Sequence, residues 1–449
     1  REQMDIYNRW SLLSLAYGVD RFYSGWFAFD CGNYYGAEHY GGCGIQRRIP
    51  YCDPKPAYAA FATMTEKLAG ARFAGWLPTG SLNTYCLRFD RPQGPVYAMW
   101  TLRGKRTVTV TLAAEGEVEV TDAMNNARKL RSREKVVAVE LDASVRYLTA
   151  SAAWAGVSAG PADHRDAAPA ATAQPVADLA DGRWSFAQRR LPEYENNTFG
   201  LIRYPGVMTS WRDDDPEQGK VLVSALASNN IDRGLMPLYD TLAPAQPVTL
   251  PGAPSALGLW VKAAGDWGRV VYVLRDARGE RWISIGSPND YNCDDIHSWS
   301  AFNFDGWRYV RFELPGHWGY DSFRRHGTTW WRADGGDDIV DLPLQLESIL
   351  VERRQRVIYV NDVQPVTETE VAFGKLYVEY DAAADATPEA VRQSEVRMPM
   401  PSQPPPLPNP IQAMADKGTL PPSAIVKLTP PEYQNDDTRT LVTFKTMPQ

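Results

Sequence analysis

The chain has 449 residues, 22% of them charged, and a net charge of −7 with both signs interspersed. That length leaves room for two or three domains with their own cores, and the interspersed charge argues against a nucleic-acid partner. No apolar run reaches the roughly 20 residues of a membrane span, and Arg1 opens the sequence with neither Met nor a signal peptide, which reads as a processed or excised piece. Residues 2–18 predict a helix, with Ile6, Trp10, Leu13 and Tyr17 at three- and four-residue spacing before Gly18. Arg21 to Asp30 is aromatic and apolar almost throughout, as a strand buried on both faces of a parallel sheet would be. A Gly/Tyr-rich loop follows, and residues 54–68 predict a second helix that stops at Gly70.

The pattern changes at Phe73. Short alternating segments at 82–89, 96–102, 107–112, 118–121, 136–141 and 146–149, separated by Gly, Pro, Asp and Asn, predict a small antiparallel sandwich over 73–150. Residues 151–183 are rich in Ala, Pro, Ser and Asp, the composition of a linker. A larger β-domain is expected over 184–381, with strands at 221–227, 256–262, 269–276, 281–285, 307–314, 346–351, 357–360 and 375–380. The stretch 382–423 contains "MPMPSQPPPLPNP" and reads as a polyproline-like linker, and 424–449 reads as the start of a further β segment.

Three of the five cysteines, Cys31, Cys43 and Cys52, crowd into one loop. One disulfide among them suits a secreted protein, whereas zinc has only His39 nearby and no Cys-x-x-Cys pair. The odd count leaves at least one free thiol, for which Cys86 and Cys293 are the candidates. The five histidines have no patterned Ser or Cys partner for a nucleophilic triad, and no phosphate-cradling glycine loop is present.

Strand, loop, "DPKPAYAAFATMTEKLAGARF" and then "VYAMWTLRGKRTVTVTL" together resemble the end of a clan A glycoside hydrolase over roughly residues 1–150. The resemblance implies the last strand and helix of a (β/α)8 barrel in 1–72, with a small β-domain packed behind it. It also implies that both catalytic carboxylates lie upstream of Arg1. The end of the last barrel strand lines the sugar subsite in such enzymes, which makes Trp26, Asp30, Tyr34 and Tyr35 candidate substrate-binding residues; packing inside the barrel is the alternative for Trp26. Asp30 and Glu38 could be posed as a carboxylate pair, but sequence supplies no separation for them.

The segments "ALGLWVKAAGDWGRVVYVLRDARGERWISIG", "FDGWRYVRFELP" and "GKLYVEYD" resemble a galactose-binding-type jelly roll of the kind found as carbohydrate-binding modules. Such modules bind sugar on a sheet face or in loops at one end, and many hold a structural calcium, for which Glu379 and Asp362 are candidate ligands beside the reading of each as a solvent-facing carboxylate. No cofactor is implied for catalysis. The expected fold is therefore multidomain and mainly β: a partial (β/α)8-barrel end, an antiparallel β-sandwich and a β-jelly roll. The expected partners are a polysaccharide or oligosaccharide and further domains of the same parent protein, in a secreted or cell-surface setting.

Six tryptophans fall between Trp282 and Trp331 among Asp, Asn, His and Gly. Indole faces stack on sugar C–H groups, and short polar side chains meet sugar hydroxyls; burial in a sandwich core is the competing reading. Alternation from Trp307 puts Trp307, Tyr309, Arg311 and Glu313 on one face, with Val310, Phe312 and Leu314 as core on the other. The flanking stretches have no period and read as loops, which makes Trp299, Trp318, Trp330 and Trp331 the candidates for ligand stacking. Arg324, Arg325 and Arg332 make an anionic sugar conceivable, although Asp334, Asp337 and Asp338 can pair with them locally.

Overall fold

The computed structural model describes residues 2–19, 44–46, 54–164, 167–187, 190–191, 207–226, 238–265, 268–284, 302–314, 331–332, 339–353, 370–388, 395–397, 427–428 and 442–443. Two helices, α1 (Glu2–Ala16) and α2 (Pro56–Lys67), precede nine strands: β1 (Arg72–Trp76), β2 (Thr84–Asp90), β3 (Val96–Thr101), β4 (Lys105–Leu112), β5 (Glu117–Thr121), β6 (Ala127–Arg131), β7 (Val136–Leu141), β8 (Arg146–Ala150) and β9 (Trp154–Asp163). They form a six-stranded sheet, β1-β2-β3-β8-β5-β6, facing a three-stranded sheet, β7-β4-β9. Val108, Val110, Val137 and Val139 of the small sheet meet Met99, Val118 and Leu148 of the large one. The back of the large sheet carries Leu87, Ala98, Trp100 and Tyr147 and is covered by Leu12 of α1 and Met64 of α2. Because both faces of that sheet are covered, all six residues of β3 are buried.

A second sandwich follows, built from β10 (Gln174–Asp178), β11 (Trp184–Phe186), β12 (Val207–Asp215), β13 (Gly219–Leu226), β14 (Leu238–Pro244), β15 (Val248–Thr249), β16 (Ala256–Ala264), β17 (Arg269–Arg275), β18 (Arg281–Ile283), β19 (Asp305–Glu313), β20 (Trp331–Arg332), β21 (Ile339–Asp341), β22 (Gln345–Arg353) and β23 (Glu370–Glu379). One sheet runs β12-β13-β23-β16-β19 with β10 added on β23; the other runs β11-β14-β22-β17-β18-β20 with β15 added on β22. Leu257, Leu259, Val261, Val310, Phe312 and Phe373 of the first sheet pack on Val270, Tyr272, Leu274, Ile349 and Trp282 of the second. The alternation read from Trp307 onward is observed: Val310, Phe312 and Leu314 are in this core. Trp282 and Trp307 are buried.

One expectation is corrected. Residues 151–183 are not a free linker: β9 pairs with β4 and β10 pairs with β23, so most of the stretch belongs to the two sandwiches. A register shift between Arg106 and Val108 places an extra residue in β9, and Pro161 falls there, where its missing N–H costs no ladder bond. Of the apolar positions read in and just after α1, Ile6, Trp10 and Tyr17 face outward, 54%, 46% and 47% exposed, while Leu13 packs against the back of the large sheet. The buried face is mixed, Met4, Asp5, Asn8, Ser11 and Leu12, because Asn8 Oδ1 accepts a hydrogen bond from the buried Tyr147 hydroxyl at 2.9 Å. Among the described residues every strand pair is antiparallel, so a (β/α)8 barrel is not shown; the expected barrel strand at 21–30 lies outside them. Near the carboxyl terminus, Glu395–Arg397 pairs with β21, and Lys427–Leu428 pairs with Val442–Thr443.

Cys86 is a free thiol in the core of the first sandwich, and burial pushes its pKa well above the ordinary thiol value. Iodoacetamide mapping by mass spectrometry is expected to leave Cys86 unmodified in the folded chain and to label it in urea. Labelling under native conditions would contradict this placement. Cys31, Cys43, Cys52 and Cys293 lie outside the described residues.

Candidate functional site

Side chains alternate across a strand, so the sheet that buries Leu257, Leu259 and Val261 must turn Gly258, Trp260 and Lys262 the other way. On β19 the outward set is Trp307, Tyr309, Arg311 and Glu313, opposite Lys262, Trp260, Gly258 and Ala256 respectively. On β23, Tyr377 lies opposite Gly258 and Glu379 opposite Ala256. Three neighbouring strands thus place Trp260, Tyr309, Tyr377 and Arg311 side by side on one outer sheet face.

Tyr309 is the centre of this arrangement. Its ring centroid lies 5.5 Å from that of Trp260 and 6.0 Å from that of Tyr377, both tilted or edge-on. Tyr309 is buried, whereas Trp260 and Tyr377 are half-buried. The Tyr309 ring crosses β16 directly above Gly258: a Cβ built there would meet the Tyr309 hydroxyl at 1.7 Å. Only glycine lets the phenol lie flat and donate to Glu379 Oε1 at 2.8 Å. Burial and this bond to a carboxylate hold the Tyr309 phenol far above its ordinary pKa.

Glu379 is buried and accepts from three donors: Tyr309, Arg311 Nε at 2.6 Å and the backbone N–H of Ala170 at 3.2 Å. Burial acts to lower the Arg311 pKa, but Glu379 and then Glu313, 3.3 Å away, raise it overall. The result is a guanidinium locked in orientation yet 42% exposed, with N–H groups left for a ligand. A second charged pair borders the aromatic strip. Asp215 accepts from Lys262 Nζ and from Trp307 Nε1, each at 3.0 Å, and from the backbone of Glu217 and Gln218. Burial alone would raise the Asp215 carboxyl, but these donors outweigh it and hold the pKa below the ordinary value. The stability contributed by this group is therefore present above the ordinary aspartate pKa and lost as pH falls through the lowered one.

Glu379 is neither solvent-facing nor surrounded as a calcium ligand would be. Cationic and neutral donors converge on it where a divalent ion would need further oxygen acceptors. Among the described residues no group of three or more His, Cys, Asp or Glu side chains could hold a metal ion. Asp362 lies outside the described residues, as do Trp26, Asp30, Tyr34, Tyr35, Trp299, Trp318 and Trp330. Trp331 is in β20, opposite Ile283, and so belongs to the other sheet. The face described here was half legible in sequence. Trp307 to Glu313 gave its β19 row, and the same alternation in "GLWVK" could have found Trp260 and Lys262.

No protein-family model matches the chain, and no curated protein matches it. Solved structures give remote similarities. A family 39 glycoside hydrolase from the gut symbiont Bacteroides cellulosilyticus is 21% identical over 33% of this chain and 30% of that one, with a TM-score of 0.27. The family 11 carbohydrate-binding module of a Clostridium thermocellum cellulosomal cellulase is 11% identical over 48% of this chain and 100% of its own, with a TM-score of 0.25. A CBM22 tandem domain from Paenibacillus barcinonensis is 10% identical over 66% and 86%, with a TM-score of 0.20. The chain thus spans under a third of the hydrolase's length. The functional reading rests instead on the sheet face itself.

Among the described residues no helix is long and apolar enough to cross a membrane.

Proposed function

We propose that the second sandwich binds a polysaccharide on the face built by Trp260, Tyr309, Tyr377 and Arg311. The observation that carries this reading is the pairing of half-buried aromatic rings with an arginine fixed by a buried carboxylate. Sugar C–H faces need flat apolar partners, and sugar hydroxyls need donors and acceptors already held in place. Lys262, held by the buried Asp215, extends the polar rim on one side, and Glu313 extends it on the other. The opposite charges sit in contact with one another, which favours a neutral glycan over a strongly anionic one.

In this reading the chain is a portion of a secreted or cell-surface glycoside hydrolase that degrades polysaccharide, with its catalytic carboxylates upstream of Arg1. A tethered binding face raises the local substrate concentration for such a centre. A noncatalytic glycan-binding protein would use the same face. Released reducing ends distinguish the two, and robust turnover by this chain alone would sink the upstream assignment.

Binding is tested with the full chain by affinity electrophoresis and calorimetry against hydroxyethylcellulose, xylan, agarose oligosaccharides and alginate. Trp260→Ala is expected to weaken the binding of a neutral probe at least ~10-fold, or about 1.4 kcal/mol. Trp10→Ala, an equally large change on exposed α1, is expected to leave it unchanged. Equal losses in both variants, or none in either, would contradict the assignment of the face.

A further inference from the structure

The two sandwiches meet through polar groups that converge on one residue, Asp305, at the start of β19. Arg106 of β4 pairs with its carboxylate, Nη2 to Oδ2, at 2.7 Å, and the arginine side chain is only 3% exposed. Ser81 Oγ and Asn83 Nδ2 donate to the same carboxylate from the loop between β1 and β2. The backbone carbonyl of Asp305 accepts from His164 Nε2 at 3.0 Å, just past the end of β9. Arg103 reaches Asn303 two residues earlier. The clasping loop is itself braced: the Thr79 hydroxyl donates to Thr84 O at 2.9 Å, and Arg106 Nη1 donates to Thr84 Oγ1 at 2.8 Å.

What the clasp holds gives it meaning. Asp305 pairs with Ala264 in the ladder, and two residues on come Trp307 and then Tyr309 and Arg311. Gly265, which directly follows the partner strand β16, runs so close to Asn83 that an added Cβ would meet its amide at 2.8 Å. The first sandwich therefore grips both strands of the pair that carries Trp260, Lys262, Trp307, Tyr309 and Arg311. A surface ion pair contributes little, but a carboxylate only 25% exposed, held by a buried arginine and two further side-chain donors, fixes geometry.

We propose that the first sandwich is a positioning scaffold for the glycan face, with Arg106, Ser81 and Asn83 acting through Asp305 as positioning residues that touch no ligand. This inference rests on the reading of that face as a sugar site. It implies that the second sandwich presents its face correctly only when the first is docked on it.

The experiment compares wild type, Asp305→Ala, Arg106→Met, the milder Asn83→Ala and, as the marker of the face, Trp260→Ala, all in the full chain. Amide hydrogen exchange and calorimetry with hydroxyethylcellulose and xylan are read together, with thermal unfolding as the folding control. The expected result is at least ~10-fold faster exchange over 258–264 and 305–309 in Asp305→Ala and Arg106→Met, with β17 and β22 unchanged, and at least ~5-fold weaker binding. If those two variants unfold, Asn83→Ala carries the same comparison with a smaller expected shift. Unchanged exchange and affinity in folded variants, with Trp260→Ala still impaired, would overturn the scaffold alone. Absence of binding by the wild-type chain to either probe would overturn the sugar site and the scaffold's purpose with it.

Discussion

Gly258→Ala is expected to destabilise the chain by about 2–5 kcal/mol and to reduce glycan binding below detection, because a single methyl group would occupy the place of a buried tyrosine. The added Cβ would lie 1.7 Å from the Tyr309 hydroxyl and 1.9 Å from Cζ. Tyr309 cannot simply step aside, since Trp260 and Tyr377 flank it and its hydroxyl is engaged by Glu379. Overpacking of this kind costs about 1–3 kcal/mol. Breaking the hydrogen bond to the buried carboxylate adds a comparable amount. Urea unfolding measures the first effect and calorimetry the second. The decisive control is Tyr309→Ala: in that background the new methyl group has room, and Gly258→Ala should then cost well under half as much. Equal costs in both backgrounds would mean that the collision is not the cause.

That dependence explains why the candidate site was only partly legible in the sequence. Alternation along β19 separated Trp307, Tyr309, Arg311 and Glu313 from core Val310 and Phe312, and the structure keeps that division. What a single strand cannot state is which residues of β16 and β23 stand opposite, since Gly258 and Tyr377 are more than a hundred residues apart and meet only through register. Gly258 reads as an ordinary strand glycine until a tyrosine from the next strand is seen lying across it. Glu379, offered from sequence as a calcium ligand or a solvent-facing carboxylate, is instead the buried acceptor that sets Tyr309 and Arg311.

The fold was misread where composition and packing point in different directions. An Ala/Pro/Ser stretch looks like a linker, yet Trp154 in β9 stacks on Tyr97 at 3.7 Å, and Val157 and Ala159 pack toward the core of the first sandwich. Strand β6 escaped notice because four of its five residues are exposed and three are basic, as suits an edge that must not recruit another strand. In α1 Ile6 and Trp10 of the apolar period lie on the outward face, and only Leu13 packs inward. The sheet beneath offers a tyrosine hydroxyl, which an asparagine satisfies better than an isoleucine could.

The other large effect is expected away from the glycan face, at the buried ion pair of Arg269 and Glu352. These residues are directly opposite in the ladder of β17 and β22, with Nε to Oε2 at 2.7 Å and side chains 4% and 0% exposed. Neighbouring Arg353, also buried, donates to Ser224 O at 2.7 Å and so ties this sheet to the one that carries the face. Arg269→Met removes the facing cation while leaving the carboxylate in place, and is expected to cost about 3–5 kcal/mol in urea unfolding. Arg269→Met combined with Glu352→Leu removes both charges at similar volume and should recover most of that loss, since the pair offsets its own desolvation and adds little net stability. A double variant as unstable as the single would show instead that the ion pair stabilises the sandwich outright. Glycan affinity gives the second criterion: the folded double variant should bind as wild type does, because Arg269 and Glu352 lie in the sheet opposite the one that carries Trp260, Tyr309, Tyr377 and Arg311.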